Sequence, residues 1–435
     1  MSKNRVKFIF IVSAFLLICA GAFYLWSVNC RRQGFVKPSP SPTGIEAQCS
    51  LLVDKGNELM KERKPFDALK YFNEALKLDE NFGPALSGRT NSYIDLGRYD
   101  EAMVDAQKAI KLDPAVPLNY VNRGNVFYYR GDPEKALEDY HRTISMKPEY
   151  PPDESKAHYG IGRIFEERGD METAFKEYDQ AVHFHDVARN YMSRAQAHRK
   201  LGRNKEGRND YLEALKQKPT KASLLTAIGE TWFNDDNSEK ALEYYNKAIE
   251  ADPDFTKDPE FRNHDGTAPS GFTFPYTNRG VIYLEKGLYR EAVADFNKSI
   301  ELKDDNPIDY FQRALAYWNL GEMEKARSDA KKYLSLEKKQ PRQENPTEKL
   351  EKQGTIQMIL GNNSRAASIL KKAEEETPDE FNSYLIRGIV LYESGNIKAA
   401  RKDLEKVVKL GIPVEKEKAR KYLNKIANQN NIKEK

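Results

Sequence analysis

Residues 117–148 read PLNYVNRGNVFYYRGDPEKALEDYHRTISMKP, and this stretch decides the fold. It holds two apolar patterns of helical period, parted at Gly131 and closed at Pro148. Glycine accepts the left-handed backbone that ends a helix, and proline forbids the second helix from running on. Small residues at Gly124 and Ala136 let the two helices approach closely, and Tyr140 is large enough to fill the space between neighbouring pairs.

The pattern repeats in both directions from there. The position of Ala136 recurs as Ala68, Ala102, Ala174, Gly207, Ala241, Ala292, Ala326, Ala366 and Ala400, and five of the nine gaps are 34 residues. Twelve residues before each stands a small residue, such as Gly56, Gly162, Gly229 or Gly388; seven after stands Ala75, Ala109, Ala181 or an equivalent in most repeats. Four after comes a large group in most repeats, among them Phe72, Tyr178, Tyr245, Phe296 and Leu404. Tyr333 and Val407 depart from the small position.

On these residues the chain resembles a tetratricopeptide-repeat (TPR) protein over about residues 49–414. The resemblance implies an all-α, right-handed superhelical solenoid of ten helix-turn-helix units. Units one to six occupy 49–255 and units seven to ten 273–414, with an inserted Pro- and Gly-containing loop at 256–272. Residues 415–435 read as a capping helix and tail. Ala419, Tyr422, Leu423 and Ile426 share one face, which suits a helix covering the last unit's apolar end.

The N-terminal part has a different character. Residues 1–7 form a basic flank, and Phe8–Val28 is an uncharged run of 21 residues, the length of a membrane-crossing helix. It reads as a signal-anchor; a signal peptide cleaved at Ala20-Gly21-Ala22 is the competing reading. Residues 29–48, with Pro38, Pro40 and Pro42, read as a linker. Lys3, Arg5, Lys7 and the free amine face Arg31, Arg32 and Lys37 across the run, a slight bias toward an N-terminus in the cytoplasm and the repeat body across the membrane. The net charge of +4 belongs to this part: residues 1–45 hold six bases and no acid. The near-neutral remainder gives no footprint for nucleic acid. Cys19, Cys30 and Cys49 make no CxxC pair; Cys30 and Cys49 read as free thiols in or near the linker, with a bridge between them as the alternative.

No catalytic signature is present, and the protein reads as a non-enzyme without cofactor. His158 and His198 fall on packing positions, and His183 and His185 are two apart, so no metal site is expected. In the TPR family the first helix of each unit lines the concave groove. The resemblance then implies a peptide-binding groove with an early polar patch of Asn91, Asn122, Asn125, Tyr128, Tyr129, Lys156, Tyr159 and Arg163. A later apolar patch comprises Phe311, Leu315, Trp318 and Tyr392, with Met358 and Ile389 beside them; contact with neighbouring units is the other reading of these residues. Chaperone-binding members of the family grip a C-terminal carboxylate with five residues. Asn91, Asn122 and Lys156 match three of those places, while Ser87 and Gly160 stand where two bases belong. The expected function is a membrane-tethered scaffold that binds protein or peptide segments. Alternatives are a structural subunit of an envelope, secretion or export assembly and, more weakly supported, a glycan- or peptidoglycan-associated binder.

Overall fold

The computed structural model describes residues 44–218, 221–254, 275–339, 345–378, 381–411 and 413–433. The described residues form helices joined by short turns, and the chain divides after Arg168 into two units. The first unit holds α1 (Gly44–Lys61), α2 (Pro65–Leu78), α3 (Gly83–Asp95), α4 (Tyr99–Leu112), α5 (Pro117–Tyr129), α6 (Pro133–Ser145) and α7 (Pro151–Glu167). The second holds α8 (Met171–Phe184), α9 (Ala188–Lys200), α10 (Asn204–Gln217), α11 (Ala222–Asn234), α12 (Ser238–Ala251), α13 (Pro275–Glu285) and α14 (Tyr289–Leu302). It continues with α15 (Pro307–Leu320), α16 (Met323–Lys339), α17 (Pro346–Ile359), α18 (Asn363–Glu376), α19 (Phe381–Glu393), α20 (Ile397–Leu410) and α21 (Pro413–Lys433). This is an all-α array of helix-turn-helix repeats.

Proline opens many of these helices, where its missing N–H costs nothing; Pro65, Pro117, Pro133 and Pro307 are examples. The turn inside a pair is left-handed. Gly131, at φ 82°, is typical, and Arg63 (58°) and Asp236 (56°) hold the same turn where the glycine is missing.

The core is a series of large side chains clasped by glycines. Phe72 and Tyr140 are 0% and 1% exposed. A Cβ on Gly56 or Gly88 would lie 2.6 Å or 2.4 Å from the Phe72 ring, and one on Gly124 or Gly160 would lie 2.7 Å or 2.5 Å from that of Tyr140. One glycine of each couple lies in the aromatic's own pair and the other in the next, so each ring joins two pairs by shape.

A second device holds the pairs, and it was absent from the sequence reading. The guanidinium of Arg123 on α5 donates to both carboxylate oxygens of Asp139 on α6, at 2.8 Å and 2.7 Å. The same two-pronged pair, sixteen residues apart, recurs as Arg89–Asp105, Arg194–Asp210, Arg279–Asp295, Arg313–Asp329 and Arg387–Asp403. Each carboxylate is buried. The fork geometry of arginine suits this, and lysine would not reproduce it.

Three expectations change. The linker does not extend to residue 48, because α1 begins at Gly44. No proline stands between Pro42 and Pro65 to prevent a helix, and α1 buries Cys49, Val53 and Gly56 against the core containing Ala68, Phe72 and Ala75. Cys49 is therefore a core thiol, donating to the Ala75 carbonyl at 3.4 Å, rather than a linker thiol. The final helix starts at Pro413; Ala419 and Ile426 are fully buried against the core of Tyr384, Leu385, Leu404 and Val407. The expected basic flank 1–7, anchor 8–28, most of the linker and the inserted loop 256–272 lie outside the described residues. Among the described residues, no helix is long and apolar enough to cross a membrane.

Candidate protein-binding surface

In the first unit, the end of α5 presents Tyr128 and Tyr129 side by side, their rings edge to face at 5.1 Å. Tyr99, at the start of α4, lies nearly parallel to Tyr129 with centroids 6.1 Å apart. Arg163 of α7 lays its guanidinium over both rings, 4.3 Å from Tyr128 and 5.2 Å from Tyr129. It also donates to their hydroxyls at 3.0 Å and 3.1 Å. Tyr128 donates to Glu167. Burial, then this bond, pushes the Tyr128 phenol well above its ordinary range. Burial works against the charge of Arg163, but Tyr129 and the neighbouring phenols hold its pKa above the ordinary value. Tyr128 therefore keeps its proton and Arg163 its charge through the neutral range. Tyr129 remains 42% exposed. An aromatic shelf backed by a fixed guanidinium can take apolar rings and main-chain carbonyls of a polypeptide.

The other early candidates are differently placed. Asn122 is buried and donates to Ser87 at 2.6 Å, tying α5 to α3. The Asn125 side-chain oxygen accepts from Tyr140 at 2.8 Å and so serves the core. Lys156 is half-buried and paired with Asp153 at 3.0 Å. Asn91 and Tyr159 are half-buried. Gly160 explains why no base stands at that place: any side chain there meets the Tyr140 ring.

The later apolar patch is mostly core. Phe311 is 8% exposed and packs on Tyr333 with centroids 5.5 Å apart. Leu315, Trp318, Met358 and Ile389 belong to the same cluster, which joins α15 to α17 and α19. Tyr392 meets Tyr422 of α21 edge to face at 5.5 Å. Contact with neighbouring repeats accounts for these residues.

Tyr99 and Glu167 were missed. Tyr99 opens a second helix, outside the first helices expected to line the groove, and Glu167 ends α7. Their signal is a shared end of the helix pairs, which only the fold brings together.

His198 lies against the Phe175 ring at 4.6 Å, with Nδ1 buried and without a hydrogen-bond partner. Burial pulls its pKa below 6.5; Asp210 opposes this, while Arg194 and Arg203 reinforce it. The unfolded imidazole thus binds a proton more readily than the folded one. Its stabilising contribution is complete above pH 6.5 and is lost as pH falls from there through the lower folded-state value. Thermal melts on acidification should show a falling midpoint, and His198→Phe should reduce the fall. Identical falls in both proteins would remove His198 from the account. No cluster of three metal-capable side chains occurs among the described residues.

Family comparison places repeats along the array. A tetratricopeptide-repeat model matches residues 121–189, 192–254 and 352–413. A TPR-repeat model matches 91–128 and 280–321, and a further tetratricopeptide-repeat model matches 310–340. The chain is 34% identical over 110 residues to the Hsp70-Hsp90 organizing protein of Triticum aestivum, covering 25% of this chain and 18% of that protein. It is 22% identical over 327 residues to DnaJ homolog subfamily C member 7 of Mus musculus, covering 66% of each. The chain spans about a fifth of the length of the chaperone-organizing relatives it matches. Among solved structures, the Cut9 and Hcn1 tetramer of APC/C shares the fold, with a TM-score of 0.50 and 16% identity over 69% of this chain and 55% of that one.

Proposed function

Because the chain belongs to the tetratricopeptide-repeat family, we propose that it is a non-enzymatic scaffold that holds polypeptide segments of partner proteins. The observation that carries this reading is the shelf of Tyr99, Tyr128 and Tyr129 over Arg163, an aromatic surface partly open to solvent. Aromatic and arginine side chains of this kind carry most of the energy at protein interfaces. The apolar run 8–28 and its basic flank support a membrane tether, with the repeat body on the far side from the cytoplasm. Tethering raises the local concentration of whatever is held. A carboxylate-gripping clamp is not favoured: Ser87 and Gly160 lack its charges, and Asn122 is engaged by Ser87.

The test is site-specific photocrosslinking from the exposed position 130, beside the shelf, in intact cells. Discrete crosslinked partners are expected. Tyr128→Ala with Tyr129→Ala should lower their recovery at least about tenfold, since each interface aromatic contributes roughly 2 kcal/mol. Asn125 is left intact because it satisfies Tyr140. Undiminished recovery of the same partners by the folded double variant would refute the shelf as the binding surface.

A further inference from the structure

The last pair and the final helix carry a charge unlike the rest of the body. Residues 397–425 hold ten basic and four acidic side chains, whereas 46–396 hold 52 basic and 61 acidic. The fold turns two of the four acids inward and leaves Glu405 and Glu417 exposed among the bases. Asp403 is buried and taken by Arg387, and Glu415 has a buried oxygen. Lys398, Arg401, Lys402 and Lys409 of α20, with Arg420 and Lys421 of α21, are all exposed. None of the six stands in an ion pair among the described residues. Elsewhere exposed bases commonly are paired, as in Arg98–Glu101, Lys216–Glu213, Lys240–Glu243 and Lys325–Glu322.

We infer that the outer surface of α20 and α21 is a second docking surface, outside the groove, for an acidic polypeptide segment. The apolar side of α21 is already buried, so the helix offers its partner charge rather than a hydrophobic seam. The two helices are about 20 Å and 30 Å long. Screening confines their field to about 8 Å at physiological salt. A short acidic segment fits within that footprint. A long nucleic acid would extend beyond it along a body that is net acidic and repels it. The patch is also mostly lysine, a point charge without the fork that reads phosphate in two-pronged fashion. Its tyrosines are engaged: Lys425 covers Tyr422 at 4.5 Å and Tyr392 at 6.0 Å, leaving no free stacking platform.

The test is fluorescence anisotropy of a labelled glutamate-rich peptide against the full chain in non-ionic detergent. Binding is expected, and it should weaken as salt is raised. Reversing Arg401, Lys402, Arg420 and Lys421 to Glu should weaken it at least about tenfold. Lys402→Gln with Lys421→Gln, a milder change at exposed positions, should give an intermediate loss and decides the matter if the reversal variant misfolds. Reversing Lys77, Lys111, Lys205 and Lys218, which are exposed elsewhere, should change affinity less than about threefold. Tyr128→Ala with Tyr129→Ala should leave it unchanged, which separates this surface from the groove. No binding, an equal loss in the control reversal, or tighter binding of an oligonucleotide of matched charge would overturn the inference.

Discussion

Gly160→Val should destabilise the first unit by about 3 kcal/mol or more, the scale of severe overpacking in a fixed core. A Cβ at this position would lie 2.5 Å from Cζ of Tyr140. The ring cannot swing away: it is 1% exposed, Gly124 presses its other side, and its hydroxyl is held by Asn125 at 2.8 Å. Valine adds a branch where even alanine lacks room. Hydrogen exchange on α5, α6 and α7 should report the loss locally, since repeat arrays need not unfold in one step. Gly160→Val combined with Tyr140→Ala should cost less than the two changes added together, because removing the ring makes space. Strict additivity, or a folded Gly160→Val with native exchange rates, would show that the ring does not bridge the two pairs. Gly160→Lys, which restores a base to the clamp position, should fail for the same steric reason and build no carboxylate site.

Asp139→Ala is the second large effect expected. Arg123 has a side chain 25% exposed and Asp139 one only 5% exposed, so the pair is mostly withdrawn from water. Deleting the carboxylate leaves a guanidinium between two helices without its counter-charge, at a cost of about 2–4 kcal/mol. Asp139→Asn retains one acceptor and should lose less. Arg123→Met with Asp139→Leu should recover much of the loss, since an apolar pair of similar bulk replaces a costly desolvation. Denaturant titration of the four proteins checks the order. If Asp139→Ala matched the native protein, the recurring pairs would be surface ornament, contributing no more than exposed ion pairs generally do.

The helix pairs were legible because their packing demands recur at a fixed step. Tyr140 must be large, and Gly124 must be small beside it, whatever the chain does elsewhere. The arginine before six of the ten small positions, with an aspartate sixteen residues on, recurs in the same register. They went unread because a charged residue on a helix is usually solvated, and only the fold shows these two side chains meeting. The turn without glycine at Asp236 was hidden likewise, since only the fold shows its left-handed backbone. The groove was less legible. Position along a first helix says which way a side chain starts, not what it meets, so Asn122, Asn125 and Phe311 are engaged by neighbours. Tyr99 was out of view because it lies sixty-four residues from Arg163 and on a different class of helix.

The clasp of one ring by two glycines also sets how such an array answers to force. Each clasp involves only adjacent pairs, so tension along the first unit meets no clasp that spans many repeats at once. Under load the first unit should peel pair by pair from an end, lengthening in small equal increments instead of rupturing in a single event. A protein that links bound partners through such a stack connects them by a soft, extensible tether rather than a rigid strut.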